Sequence, residues 1–291
     1  MSTYGYYPGC SSHGTAREYE TSAQLVLKAL KLDMKEVSDW NCCGASAAHV
    51  TSEELAIALP HRNLVLAEKQ GFSHIVTTCA ACFNRLKIAN KTLKEEQNIL
   101  ARMEEISGTE YSKTVAVHHI LEVFYHEVGI ERLKAMVIRP LSDLRVASYY
   151  GCLLTRPKHI TIDKDYENPT IMDEIVSATG ALPVEWSHKT ECCGASLALG
   201  RTDIVHRLCK EIFEAALLSS SDVIVVACPL CHSNLDMRQS QINTRYHTHF
   251  DIPIVFITQL LGLAFGKGFK ELEMGKPLVS SYPILKEKKI L

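Results

Sequence analysis

The cysteines carry most of the chemistry available to this sequence, because ten of the 11 occur in one pattern that is present twice. In each half a single cysteine is followed, after 31 or 39 residues, by two adjacent cysteines, and after 35 or 34 more by a CxxC motif. Thiolates at such spacings bind zinc or iron–sulfur clusters, so the pattern predicts a metal or redox centre in each half. The two sets are Cys10, Cys42, Cys43, Cys79 and Cys82, and Cys152, Cys192, Cys193, Cys228 and Cys231.

Five thiols are one more than a structural zinc site or a [4Fe-4S] cubane requires, since each takes four ligands. Adjacent cysteines such as Cys42 and Cys43 can bind two metal atoms, or one of their sulfurs can bridge a pair. This favours an enlarged or opened iron–sulfur cluster. Two alternatives stay open: a zinc ion with one spare thiol in each half, and a thioredoxin-like redox disulfide in each CxxC, which leaves six repeated cysteines without a role.

The residues around the cysteines repeat as well, which indicates two domains descended from one duplicated unit. Residues 6–10 (YYPGC) correspond to 149–152 (YYGC), and residues 42–46 and 192–196 are both CCGAS. We therefore predict an N-terminal domain over 1–141 and a C-terminal domain over 142–291, joined near Pro140-Leu141-Ser142-Asp143. The tail beyond Gly266 is expected to be polar and peripheral.

The elements that must position these thiols alternate between strand and helix. Brief β-branched or aromatic runs predict buried strands at 3–7, 75–78, 145–149 and 223–227. Apolar residues spaced by three and four predict helices at 16–30, 52–69 and 203–218, the second of which begins at Thr51-Ser52-Glu53-Glu54. Alternating strands and helices favour an α/β fold: two tandem, homologous Rossmann-like domains with parallel sheets, related by pseudo-two-fold symmetry.

This arrangement predicts that the cysteines of each half converge. Cys10, Cys79, Cys152 and Cys228 come just after predicted strands, and open α/β sheets bind ligands at the carboxyl ends of their strands. Each Cys-Cys pair lies in a predicted turn, after Trp40 or Glu191. The glycine that follows the pair, Gly44 or Gly194, is expected to let the backbone approach a bulky inorganic centre.

Composition excludes several other classes of protein. With 31 basic and 33 acidic residues the formal charge is -2, so no basic field points to nucleic acid or a membrane surface as the main partner. The longest apolar stretch, 252–265, is too short to span a bilayer. The N-terminal residues lack the features of a secretory signal, so a cytoplasmic location is expected, where cysteines stay reduced.

The duplicated cysteine pattern resembles the CCG-domain pattern of the heterodisulfide reductase B subunit, a cysteine-rich iron–sulfur family, over about residues 1–265. The resemblance implies two noncubane [4Fe-4S] clusters, one on each set of five cysteines. It also implies that the coenzyme M–coenzyme B heterodisulfide binds between the clusters and is reduced to two thiols. One difference is that the gap from the second Cys-Cys pair to its CxxC is one residue shorter than the first such gap, and slightly shorter than usual for the family.

Disulfide reduction gives the duplication a function. Opening a disulfide consumes two electrons whereas one iron–sulfur cluster normally delivers one, so two clusters facing one substrate could each supply an electron and bind one sulfur. The sequence has neither a GxGxxG fingerprint for flavin or nicotinamide nor a closely spaced ferredoxin cysteine run, so the electrons are expected to come from partners.

The resemblance implies which partners these are: a ferredoxin-like subunit with two cubane [4Fe-4S] clusters, and a flavin subunit fed by hydrogenase, formate dehydrogenase or ferredoxin in a larger complex. A second hypothesis is an electron-transfer subunit that reduces a quinone or another acceptor and cleaves no disulfide. A third is a binding module stabilised by zinc, which would not be an enzyme.

Other residues have weaker claims to a function. His13 and His159 follow the first cysteine of each half and could protonate departing thiolates, although surface or capping roles are favoured. Cys209, in a predicted helix, is expected to be a buried apolar thiol, and His118-His119 are expected at a helix start, where metal binding is not favoured. The segment 262–268 is expected to be a helix end, not a phosphate loop. Cations near the motifs that could receive a substrate anion are Arg17, Arg62, Arg85, Arg156 and Lys158.

Overall fold

A computed structural model describes residues 4–45 and 48–291, and these residues form two four-stranded sheets. All strand pairs are parallel, and the strand orders, β2-β1-β3-β4 and β6-β5-β7-β8, match between the halves. The prediction of two tandem parallel α/β domains is therefore confirmed, while the boundary at 141/142 stays a prediction. The strands are β1 (Tyr4–Tyr6), β2 (Met34–Glu36), β3 (His74–Thr77), β4 (Ala116–His119), β5 (Arg145–Tyr149), β6 (Leu182–Pro183), β7 (Val223–Val226) and β8 (Ile254–Phe256).

The four predicted strands are the four central ones, β1, β3, β5 and β7. Central parallel strands are buried on both faces, so their apolar runs are easy to recognise. The four strands missing from the prediction all lie at sheet edges, where β2 and β6 are short and largely exposed and β8 merges with the following helix into one apolar run. Thr3 of the first predicted strand, and Ser46 of the first CCGAS segment, lie outside the described residues.

The helices pack on the two faces of these sheets. In the N-terminal half they are α1 (Cys10–His13), α2 (Arg17–Ala29), α3 (Ala48–Thr51), α4 (Glu53–Lys69), α5 (Ala80–Glu95), α6 (Gln97–Ser107), α7 (Ile120–Glu122), a π-helical turn (Val123–Val128) and α8 (Ile130–Ala135). In the C-terminal half they are α9 (Ile171–Ala178), a 3₁₀ turn (Ala195–Leu197), α10 (Thr202–Leu218), α11 (Pro229–Tyr246), α12 (Ile257–Ala264) and α13 (Tyr282–Glu287).

The predicted helices at 16–30, 52–69 and 203–218 correspond to α2, α4 and α10. The predicted start of α4 is confirmed, because Ser52 is its N-cap and its hydroxyl accepts a hydrogen bond of 3.2 Å from the Leu55 N–H. The segment 262–268 is a helix end, as expected, since α12 ends at Ala264. No helix among residues 4–45 and 48–291 has both the length and the apolar character needed to cross a bilayer.

The tail beyond Gly266 is not peripheral, contrary to expectation. It contributes Leu272, Met274, Leu285 and Ile290 to the hydrophobic core, each no more than 2% exposed. The Leu272 side chain packs so closely on α12 that a Cβ on Gly262 would lie 2.4 Å from it. The prediction was wrong because these apolar residues are scattered singly among polar ones, so no run marks their burial.

The two halves share a continuous interface. Helix α12 of the second half packs against α2 of the first. There the hydroxyls of Ser22 and Thr258 are hydrogen-bonded at 2.6 Å, and the rings of Tyr19 and Phe256 stack with centroids 4.0 Å apart. One large core cluster contains buried residues from both halves. This packing brings the carboxyl ends of the two sheets, and the cysteines beyond them, next to each other.

Candidate metal and redox site

The cysteines lie at the carboxyl ends of the central strands. Cys10 begins α1, four residues after β1, and Cys152 lies three residues after β5. Cys79 and Cys228 are the N-cap residues of α5 and α11, directly after the turns that leave β3 and β7. These are the positions where parallel α/β sheets present ligand-binding groups, as the sequence predicted.

The thiols meet in pairs, and the pairing is the same in both halves. The first cysteine of each set contacts the first member of the Cys-Cys pair, and the second member contacts the last cysteine of the CxxC motif. The Sγ–Sγ distances are 3.8 Å for Cys10 and Cys42, 3.4 Å for Cys43 and Cys82, 3.7 Å for Cys152 and Cys192, and 3.7 Å for Cys193 and Cys231.

The remaining cysteine of each set lies at the interface between the halves. Cys79 interacts with Cys82 of its own CxxC motif, and Cys228 interacts with Cys231. Cys79 and Cys228 also interact directly with each other. The two sets of five therefore adjoin, and they meet at the first cysteines of the two CxxC motifs.

The geometry of the pairs fits thiolates bound to metal. Two thiolates on one tetrahedral metal, with bonds of about 2.3 Å, are separated by about 3.8 Å. The four paired distances, 3.4 to 3.8 Å, lie close to this value, and all the cysteines are free thiols. In residues 4–45 and 48–291, no three His, Cys, Asp or Glu side chains are placed around one metal position. Thiols that adjoin one another without surrounding a single metal position suit a polynuclear cluster, in which bridging sulfides complete each metal's coordination.

In the pairs Cys10–Cys42 and Cys152–Cys192, the second thiol has a lowered pKa. Contact with Cys10 lowers the pKa of the Cys42 thiol, while contact with Cys42 raises the pKa of Cys10. In the second half, contact with Cys152 lowers the pKa of Cys192 to about 6. Since the thiolate is the form that binds metal, the first member of each Cys-Cys pair is already close to its ligand state.

Backbone N–H groups support these thiolates. The Gly44 N–H points at the Cys42 sulfur at 3.5 Å, and the Gly194 N–H points at the Cys192 sulfur at 3.3 Å. Both glycines adopt positive φ, +76° and +75°. We expected these glycines to let the backbone approach an inorganic centre, and this stays a prediction, although their N–H groups do lie against ligand sulfurs. A Cβ at Gly44 would meet Ala48 at 2.6 Å, and a Cβ at Gly194 would meet residues of α10.

The glycines that do face sulfur are the ones before the first cysteine of each set. Gly9 has φ +73°, and a Cβ there would lie 2.8 Å from the Cys82 sulfur. Gly151 has φ +64°, and a Cβ there would lie 3.3 Å from the Cys231 sulfur. The absent side chain lets the strand-to-helix turn close over the CxxC thiol. The repeated Gly-Cys dipeptide was the signal that sequence analysis left unused.

A repeated tyrosine fixes the loop that carries each Cys-Cys pair. The Tyr7 hydroxyl donates to the Asn41 carbonyl at 2.7 Å, and the Tyr149 hydroxyl donates to the Glu191 carbonyl at 2.6 Å. Asn41 and Glu191 each directly precede a Cys-Cys pair. Both tyrosines are almost completely buried, so these bonds anchor the ligand loops to the central strands.

Cys209 is buried, as predicted, but it has a specific contact. Its thiol donates to the Cys193 carbonyl at 3.4 Å, and the Asn234 amide donates to the same carbonyl at 2.6 Å. Cys209 of α10 and Asn234 of α11 thus both fix the backbone of the second Cys-Cys pair. Cys209 supports the site without belonging to the repeated set.

The histidines differ in how well the structure matches their predictions. His13 is exposed, stacks on Trp40 and lies 3.7 Å from the Glu36 carboxylate, and His159 is exposed as well, so surface roles fit both. His118 and His119 are the last two residues of strand β4, and His119 is also the N-cap of α7, so the expected helix start is confirmed at His119. Strand β4 was missed, because its residues, Ala-Val-His-His, do not alternate between polar and apolar types although their burial alternates.

The candidate cations have different surroundings. Arg62 is paired with the Asp39 carboxylate at 2.6 Å. Arg85 is half-buried close to Cys43, and burial lowers the pKa of its guanidinium. The remaining three, Arg17, Arg156 and Lys158, are exposed.

Comparison with known proteins places this arrangement in a family. The model of the cysteine-rich (CCG) domain matches twice, at residues 4–87 and 146–236. The B subunit of a ferredoxin/F420H2-dependent CoB–CoM heterodisulfide reductase from Methanosarcina acetivorans is 34% identical, over 98% of this chain and 96% of that protein. The chain belongs to the B-subunit family of heterodisulfide reductases. As a member of this family it is an iron–sulfur oxidoreductase subunit that transfers electrons within a multisubunit complex.

Similarity extends to a protein of a differently named complex. The 8-methylmenaquinol:fumarate reductase membrane anchor subunit of Wolinella succinogenes is 30% identical to this chain, over 96% of the chain and 97% of that protein. Among solved structures, a hypothetical protein from Helicobacter pylori superposes with a TM-score of 0.75 at 12% identity, covering 96% of this chain and 52% of that one. This last likeness confirms the fold and carries no function.

Proposed function

We propose that this chain is the catalytic subunit of a heterodisulfide reductase complex, which reduces the coenzyme M–coenzyme B heterodisulfide to two thiols in two one-electron steps. The cofactors would be two noncubane [4Fe-4S] clusters. The cluster of the N-terminal half would be held by Cys10, Cys42, Cys43, Cys79 and Cys82, and that of the C-terminal half by Cys152, Cys192, Cys193, Cys228 and Cys231.

The observation that carries the proposal is the contact between the two sets at Cys79 and Cys228. Centres held by adjoining sets of ligands lie next to each other, so one small molecule between them can touch both. Duplication of a domain would not by itself produce this, because two domains can also pack with their sites far apart. Here the interface formed by α2 and α12 aligns the two sites.

The exposure of the thiols indicates where a substrate would enter. Cys10 and Cys42 are exposed, and Cys152, Cys192 and Cys231 are partly exposed, whereas the other five repeated cysteines are buried. When bound, the clusters would supply one electron each and an iron site that can accept a sulfur of the substrate. The buried thiols would anchor these centres, while the exposed side of each set leaves room for the disulfide.

The overall reaction balances with an external reductant. The disulfide bond breaks on uptake of two electrons and two protons, and two thiols leave. The electrons would come from a ferredoxin-like partner with two cubane [4Fe-4S] clusters, itself supplied by a flavin subunit and a hydrogenase or formate dehydrogenase. Family membership and the absence of a flavin fingerprint in this sequence support these partners.

A two-step experiment tests the proposal. The chain is purified without oxygen and analysed for metal, and about eight iron and about eight acid-labile sulfide per chain are expected for two four-iron clusters. About two zinc ions without sulfide would instead indicate a zinc-stabilised module. The chain with its electron-donating partner is then given the heterodisulfide, and release of both thiols is expected.

An electron-transfer subunit that reduces a quinone is the second candidate. The similarity to the Wolinella succinogenes subunit of an 8-methylmenaquinol:fumarate reductase favours it. One measurement distinguishes the two functions. If the chain is an electron-transfer subunit, its iron-loaded form would exchange electrons with a soluble menaquinone analogue and release no thiol from the heterodisulfide. That result would replace the reductase with the electron-transfer function.

A further inference from the structure

A single buried histidine connects the two cysteine sets. His119 ends strand β4 of the N-terminal half and is completely buried. Its Nε2 lies 3.1 Å from the Thr78 carbonyl oxygen of its own half and 3.1 Å from the Ala227 carbonyl oxygen of the other half. One imidazole nitrogen thus reaches a backbone carbonyl in each domain.

The contacts of the ring define its protonation. Nδ1 accepts a hydrogen bond of 3.3 Å from the Leu121 N–H, so the proton of the neutral ring is on Nε2. Burial lowers the pKa of His119 to about 4, which keeps the ring neutral near pH 7. A single N–H is therefore shared between the two carbonyls.

Those two carbonyls hold the cysteines at the interface. Thr78 directly precedes Cys79, and Ala227 directly precedes Cys228. Each carbonyl belongs to the peptide unit whose nitrogen is that of the cysteine, so its position sets the position of the cysteine. Cys79 and Cys228 are the two cysteines that interact across the interface. His119 thus fixes the place where the two sets meet.

The duplicated fold does not require this bridge. The residue at the end of β8, equivalent to His119, is Phe256, and both residues are the N-caps of the helices that follow. The Phe256 ring stacks between Tyr19 and His232 with centroid distances of 4.0 and 4.1 Å and has no polar donor. The residue equivalent to His119 in the second domain therefore supplies no counterpart to the bridge.

The bridge is also not needed to keep the halves together. The Asn84 amide donates to the Leu153 carbonyl at 3.0 Å and to the Arg156 carbonyl at 2.7 Å. The hydroxyls of Ser22 and Thr258 form another bond between the halves. Removal of the imidazole would leave these contacts in place, so its effect would be local to the two CxxC motifs.

We propose that His119 is a positioning residue, which sets the separation of Cys79 and Cys228 so that the two redox centres act on one disulfide together. The effect on disulfide reduction rests on the proposed function, whereas the effect on the separation of Cys79 and Cys228 concerns the metal-free chain as well. An imidazole that merely fills space would be replaced well by phenylalanine, the residue that the second half uses at the equivalent position.

Two variants and a control test the role. His119→Phe keeps an aromatic ring and removes the donor, and His119→Gln keeps an N–H donor on a side chain of similar reach. The control is His61→Phe, since His61 is also buried but its Nε2 has no hydrogen-bond partner. All three variants are first analysed for iron and sulfide, and their electron paramagnetic resonance spectra are recorded at partial reduction.

The expected result separates positioning from folding. His119→Phe binds wild-type amounts of iron and sulfide, loses about tenfold or more in kcat for disulfide reduction with little change in KM, and shows a weaker magnetic interaction between its two centres. His119→Gln recovers most of the turnover, and His61→Phe resembles the wild type. A His119→Phe chain with wild-type turnover and spectrum would overturn the proposal, as would a loss of turnover that only follows a loss of iron.

A measurement on the metal-free full chain separates this inference from the proposed function. Mild oxidation followed by peptide mass spectrometry gives the yield of a Cys79–Cys228 disulfide. The wild type and His119→Gln are expected to form it, and His119→Phe several times less. If the wild type binds no iron but shows this difference, the proposed function fails and the positioning role stands. Equal yields in all three chains would reject the positioning role.

Discussion

At the scale of single residues, position in the fold separates cysteines that the amino-acid type cannot distinguish. Ten thiols meet within their sets or across the interface, whereas Cys209 lies behind Cys193 and contacts its carbonyl and Asn234. The same ten cysteines make up the repeat in the sequence. The sequence could not predict that Cys79 and Cys228 touch, because that contact depends on how two domains pack.

A pair of cysteine substitutions checks the division. Cys42→Ser removes the thiol whose pKa is lowered by Cys10, so we expect iron per chain to fall by about half and turnover to be lost. Cys209→Ala removes a free thiol outside the repeated sets, and iron should stay at the wild-type level. Iron content and thiol release are measured on the two purified variants. Equal iron loss in both would contradict the assignment of the ten repeated cysteines, without Cys209, as iron ligands.

A buried histidine away from the cysteines gives a pH prediction. Burial lowers the pKa of His61, which packs edge-on against Tyr111, although the Glu104 carboxylate partly opposes the shift. The folded state therefore resists protonation of His61, while the unfolded state takes up a proton below about pH 6.5. The free energy of unfolding should decrease as pH falls below that value. Urea unfolding at about pH 7.5 and about pH 5.5 should show a smaller decrease for His61→Phe, and an equal decrease would contradict this origin.

At the scale of elements, the turns that follow the central strands place the ligands, and the glycines in these turns lie close to sulfur. Recognition of the central strands from sequence was sufficient to locate these turns, because the strands are buried on both faces and end directly before the cysteines. The edge strands β2, β4, β6 and β8 were missed, since β2 and β6 are short and largely exposed and β8 merges with α12 into one apolar run. His119 was expected at a helix start and is the N-cap of α7, but the strand β4 that it ends was not predicted.

Two glycine substitutions compare a turn at the site with a turn away from it. Gly71 has φ +80° with nothing within 4 Å of an added Cβ, so Gly71→Ala should cost only the backbone penalty of about 1–2 kcal/mol. Gly9 has φ +73° and ψ +165°, a conformation essentially restricted to glycine, and its Cβ would also press on the Cys82 sulfur at 2.8 Å. Gly9→Ala should therefore also lower the iron content of the N-terminal half. Iron content of Gly9→Ala equal to that of Gly71→Ala would show that the turn tolerates a side chain there.

At the scale of the whole molecule, the two domains and the C-terminal tail form one packed body. Helix α12 is covered on one side by α2 and on another by the tail, where the Gln259 amide donates to the Leu272 carbonyl at 3.1 Å. The tail therefore supports the helix that aligns the two halves. The tail was expected to lie outside the core, because isolated apolar residues indicate burial only when the partner surface is known.

A leucine pair measures the contribution of the tail to stability. Leu272 is completely buried against α12, and Leu272→Ala should lower the free energy of unfolding by about 2–5 kcal/mol through lost burial and a residual cavity. Leu278 is 71% exposed, so Leu278→Ala should change it by less than about 0.5 kcal/mol. Chemical denaturation of both variants provides the comparison. Similar values for the two would mean that the tail is not part of the cooperative core.

The joint action of the two cysteine sets on one disulfide is tested most directly by a single turnover. The iron-loaded chain is reduced, freed of excess reductant and mixed with one equivalent of the heterodisulfide, and the thiols released per chain are counted. We expect about two thiols per chain, because two centres supply one electron each, and almost none from Cys42→Ser or from Cys192→Ser. Undiminished release from either single-set variant, or no release from the fully loaded wild type, would contradict joint action.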